Sequence, residues 1–151
     1  MRRFEFMKTI VALIDFSDVT DKVLAQAEKS ARDSGARVIL IHVVPKEPVV
    51  VDLGLVSPTI LKSPSPEKVE ADHQQLLKYR DSLAKAGVHV AAEQLLDGGV
   101  DKMLKDALRW DAELIIIGSH HHSPLYNLFI GSLTKDISKR AHCPVLVVPA
   151  D

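Results

Sequence analysis

Three stretches of the chain are apolar and largely β-branched at consecutive positions: Ile10 to Ile14, Val38 to Val44 and Leu114 to Ile117. A strand that is apolar on both faces must be covered on both, so these stretches predict strands buried between two helix layers. Val88 to Leu96 alternates in part and predicts a fourth strand. Val145 to Val148, flanked by Pro144 and Pro149, predicts a fifth, and prolines at both ends suit an edge or terminal position. Between these runs the apolar spacing lengthens to three and four residues. Val19, Val23, Leu24, Ala27 and Ala31 share one helical face, with Ser17 or Asp18 able to cap its start and Gly35 to stop it. Ser65 as cap and Pro66 at the first helical position open a second helix through Val69, Leu76, Leu77, Leu83 and Ala84 to Gly87. Val100, Met103, Leu104, Ala107 and Leu108 predict a third helix. Leu133, Ile137 and Ala141 predict a fourth that ends before Pro144.

Buried strands alternating with amphipathic helices call for an α/β fold: a five-stranded, mainly parallel, doubly wound sheet with helices on both faces. Ligands of such sheets bind beyond the carboxyl ends of the strands, where the strand order reverses. That places function at 15–18, 43–45, 96–99 and 118–123. The segment from Pro45 to Pro64 has neither helical nor alternating spacing, and its length suggests a lid, a partner contact or disorder. Residues 7–150 are expected to form one domain, with 1–6 as an N-terminal extension.

Composition narrows the function classes. A hydrophobic fraction of 46% and a charged fraction of 26% are those of a globular domain rather than a disordered one. Nineteen basic residues against twenty acidic ones argue against a general nucleic-acid binder, which carries a clustered basic surplus. One cysteine, Cys143, cannot form an internal disulfide, which fits a cytoplasmic location. The apolar runs are too short to span a bilayer, and Glu5 interrupts the N-terminal stretch that would otherwise suggest a secretory signal.

Candidate chemistry gathers at two turns. Asp15-Phe16-Ser17-Asp18, after the first strand, has two acids and no glycine, so it repels a pyrophosphate; its acids read equally as helix-capping groups or as acceptors for a base or ribose. After the fourth strand come Gly118 and Ser119, then His120 to Ser123, then Gly131 and Ser132 at the start of the last helix. Glycine permits close backbone approach, and a helix N-terminus favours an anion, though ordinary turn-making explains the same residues. No GxxxxGK[ST] or GxSxG motif is present. His120 to His122 read as an exposed loop, since a catalytic zinc needs three ligands from a defined scaffold. Cys143 reads as structural, with no base identified for it.

These residues together resemble the universal stress protein family. The resemblance rests on Asp15-Phe16-Ser17 after the first strand, His42-Val43 at the end of the second, Gly118-Ser119-His120-His121 followed by nine residues and Gly131-Ser132, and Cys143 to Pro149 at the end. It spans about residues 7 to 149. The resemblance implies an ATP site with Mg or Mn, in which Asp15 and Val43 meet the adenine and ribose end. It likewise implies that Gly118, Gly131 and Ser132 hold the phosphates with Ser119 beside them, and that His121 stands where the family carries its second glycine. It further implies a cytoplasmic protein of stress response or signalling and a homodimer paired through the last strand. No residue reads as a catalytic base over a γ-phosphate, so any ATP hydrolysis is expected to be slow. The alternative is a dimeric interaction module of the same family that binds no nucleotide.

Overall fold

The computed structural model describes residues 8–96, 99–119 and 135–150. Five strands form one parallel sheet: β1 (Thr9–Leu13), β2 (Arg37–Val43), and, after an antiparallel hairpin of β3 (Glu47–Val50) and β4 (Thr59–Lys62), β5 (Val90–Leu95), β6 (Ala112–Ser119) and β7 (Val145–Pro149). Their spatial order is β5-β2-β1-β6-β7. The chain winds outward from β1 through β2 to β5, returns to the other side of β1 as β6, and ends at the edge as β7.

Alternation within the strands explains the two helix layers. Ile10, Ala12, Val38, Leu40 and Ile116 face α1 (Thr20–Ser34) and α2 (Pro66–Lys85), burying Val23, Ala27, Leu76 and Leu83. Val11, Ile39, Ile41, Ile115 and Ile117 face the other way, onto Met103 and Leu104 of α3 (Gly99–Arg109) and Ile137 of the helical residues 135–140. At ~25 cal/mol per Å² of apolar surface, this double coverage is the main favourable term holding the sheet between its helices. Gly35 ends α1 at φ 72°, and the Ser65 hydroxyl accepts the Lys68 backbone N–H at 3.2 Å to cap α2. Both punctuation marks are where the sequence puts them.

Two expectations are corrected. Ser17 and Asp18 do not cap α1: its N-cap is Val19, without a side-chain bond, because the Ser17 hydroxyl is turned instead onto Asp15. The segment from Pro45 to Pro64 holds an antiparallel hairpin with Val49 opposite Ile60. Consecutive valines at 49 to 51 mask the alternation of a half-buried strand, because both faces of this ribbon are apolar and open to solvent. No helix among the described residues is long and apolar enough to cross a membrane.

Candidate nucleotide site

The strand registers bring three sequence-predicted residues to one level. Leu13 lies opposite Ile41, so Asp15 and Val43 each stand two residues beyond that pair. Ala12 lies opposite Ile116, so Asp15 and Ser119 each stand three residues beyond that one. Asp15, Val43 and Ser119 therefore leave the sheet side by side on three adjacent strands, with β1 and β6 flanking the point where the winding reverses. In open α/β sheets such a reversal of strand order is where the ligand crevice lies.

The β1–α1 turn is organised around one carboxylate oxygen. Asp15 Oδ1 accepts the Ser17 backbone N–H at 3.1 Å, the Ser17 hydroxyl, and the Thr20 hydroxyl at 3.4 Å. Between them Phe16 adopts φ 62°, in the left-handed region. Its ring stacks on His42, with centroids 4.0 Å apart, and reaches Tyr79 of α2 at 5.9 Å.

His42 is 2% exposed, and among the described residues its Nδ1 has no hydrogen-bond partner. Burial pushes its pKa down to about 4. The Asp72 carboxylate and, more weakly, Asp15 oppose that shift, while the Lys68 ammonium adds to it. The imidazole is therefore neutral at neutral pH. Asp72 is buried on α2 and takes both its bonds from Lys68 Nζ at 3.0 Å.

Packing explains two of the glycines. A Cβ on Gly118 would stand 2.5 Å from Val19 Cγ1 and 3.2 Å from Val23 Cγ2, so the missing side chain lets the start of α1 close onto β6. A Cβ on Gly99 would stand 3.0 Å from both Leu95 Cβ and Val43 Cγ1, which seats the first turn of α3 behind Val43. Gly118 thus serves helix–strand contact, and Ser119, half-buried beside it, is the first polar side chain at the mouth of β6. His121, Gly131 and Ser132, like Asp97 and Gly98, lie outside the described residues.

Sequence reasoning passed over Phe16, Asp72 and Tyr79 as members of this site. Asp72 was visible in principle, being an acid at a core-facing position between Val69 and Leu76. So was His42, a titratable group inside an apolar run. Nothing in the residue type announces a left-handed phenylalanine.

A five-stranded parallel sheet, wound outward on both sides of β1 and covered by helices on both faces, defines a doubly wound α/β domain. The chain belongs to the universal stress protein family, which residues 7–149 match. It is 30% identical over 141 residues to a universal stress protein of Methanocaldococcus jannaschii, covering 93% of this chain and 81% of that one. It is 31% identical over 144 residues to a universal stress protein of Thermus aquaticus, covering 93% and 98%. Among solved structures, the universal stress protein of Archaeoglobus fulgidus in complex with dAMP superposes with a TM-score of 0.66 at 23% identity, over 95% of this chain and 98% of that one. A universal stress protein in complex with cAMP superposes at 0.68 and 19% identity, over 96% and 98%. At those identities the likeness shows the fold.

Proposed function

We propose that this chain binds an adenine nucleotide in the crevice where Asp15, Val43 and Ser119 emerge, with ATP as the natural ligand, and acts in the cytoplasm in stress response or signalling. The observation that carries this reading is the common level of those three side chains at the winding reversal. Family membership and the dAMP and cAMP carried by two structural relatives support it.

The described residues fit the base and ribose end. Val43 offers a half-buried apolar wall, and Asp15 a carboxylate held in place by its own turn. Gly131 and Ser132, from the sequence motif, would hold the phosphates together with Ser119. Among the described residues there is no cluster of three histidine, cysteine or carboxylate side chains suited to a cation, so Mg or Mn would arrive on the phosphates. A two-fold homodimer through β7 belongs to the same reading, since Leu146 and Val147 stand exposed on that edge strand.

The exposed apolar hairpin β3–β4 favours the second reading, an interaction module without nucleotide. Melting the protein with and without Mg-ATP separates the two. A ligand that binds only the folded state, at a hundred times its Kd, adds about 2.7 kcal/mol, which raises the Tm of a chain this size by roughly 5–10 °C. No shift with ATP, AMP or GTP would leave the interaction module standing.

A further inference from the structure

Phe16 stands in a backbone region that glycine enters freely and a phenylalanine does not. Something must hold it there, and the contacts of its ring supply the hold: His42 face to face at 4.0 Å with planes 25° apart, and Tyr79 beyond. The backbone at residue 16 sets the direction in which the chain leaves Asp15 for α1. A relaxed Phe16 would carry Ser17 away from Asp15 Oδ1, and with it the bonds that fix the carboxylate.

His42 is suited to this task in a way that an aliphatic residue is not. A leucine would fill the same space under α2 without leaving a buried nitrogen unpartnered, a cost that native cores generally avoid. What the leucine could not provide is a flat ring to lie against Phe16. Burial keeps that ring neutral, so it stacks without a charge to hydrate.

We propose that the Phe16–His42 stack is a positioning device for the nucleotide site, holding residue 16 left-handed and thereby aiming Asp15 at the base and ribose of the ligand. The inference rests on the nucleotide reading above. The role needs neither ring to touch the ligand. Both act through Asp15, so the stack governs affinity for the base and ribose end more than for the phosphates.

Calorimetric titration with AMP, which carries base and ribose with a single phosphate, tests it. Phe16→Ala and His42→Leu are each expected to bind AMP about tenfold more weakly than the wild type, the loss a ring stack of this kind accounts for. Phe16→Tyr and His42→Phe keep a ring on each side and are expected to bind within about twofold of it. The ring-current shift of the His42 protons in NMR spectra should vanish in Phe16→Ala and persist in Phe16→Tyr. Should Phe16→Ala fail to fold, Phe16→Gly, which accepts the same backbone without a ring, is also expected to bind more weakly. Equal AMP affinity in the wild type and His42→Leu overturns the positioning role and leaves the nucleotide reading intact. A wild type that binds neither AMP nor ATP overturns both.

Discussion

β2 and the hairpin that follows it are neighbours in the chain and both rich in valine, isoleucine and leucine, yet they end in opposite environments. Val38, Leu40 and Ile41 of β2 are fully buried. Val50 of β3 is 66% exposed, and Leu55 at the hairpin tip lies fully in solvent. Composition does not distinguish them; coverage does. β2 has β1 and β5 as hydrogen-bonded neighbours and a helix layer on each face, whereas among the described residues β3 and β4 pair only with each other. A lone two-stranded ribbon has too little to bury against, so its apolar side chains add little to stability. Substitutions should therefore be costly in and around β2 and nearly silent in the hairpin.

The largest effect is expected from the buried titratable side chain of β2. His42 has a folded pKa of about 4 against an ordinary 6.5, so between those values the unfolded chain binds more protons. Stability tied to neutral His42 is thus fully present above about pH 6.5 and is lost as pH falls toward 4, a change of about 3 kcal/mol. Urea unfolding of the wild type and of His42→Phe at pH 7.5 and 4.5 checks the sign. The wild type should lose more than the variant on acidification, and an equal loss in both would show that His42 does not carry the effect.

A smaller effect is expected where α1 meets β6. Gly118→Ala forces a Cβ into the space of Val19 and should cost about 1–3 kcal/mol. Val19→Ala in the same chain should recover part of that loss, read as a favourable coupling in a double-mutant cycle of thermal melts. Additive costs would mean that α1 shifts to absorb the methyl group.

The smallest effect belongs to the hairpin. Leu55→Ser is expected to change the urea-derived stability by less than about 0.5 kcal/mol while improving solubility, since it removes apolar surface that no described residue covers. A destabilisation above 1 kcal/mol would show that the tip packs in solution and would erase the contrast with β2.

What the sequence conveys follows the same division. Wherever burial imposes a period, the elements are legible: the faces of α1, α2 and α3, the two-sided apolar strands, the glycine after α1 and the serine before α2. The order of winding, and with it the level shared by Asp15, Val43 and Ser119, was not legible, because the handedness of crossovers leaves several strand orders open. The hairpin was not legible, because a ribbon exposed on both faces imposes no alternation. Phe16 was not legible either, since its left-handed backbone is stabilised by residues 26 and 63 positions away. Ser17 was misread as a cap because Asp15, two residues earlier, competes for its hydroxyl.

The close seat of Val19 over Gly118 also bears on how this sequence can diverge. With 2.5 Å between the valine methyl and a prospective Cβ, position 118 cannot grow by itself: bulk gained on β6 must be surrendered at the start of α1. The two sites form a covarying pair, and descendants of this chain should keep glycine opposite valine or trade alanine on the strand for a smaller residue on the helix. Glycine at 118 is then retained by its fit against α1, whatever the ligand demands of the residues around it.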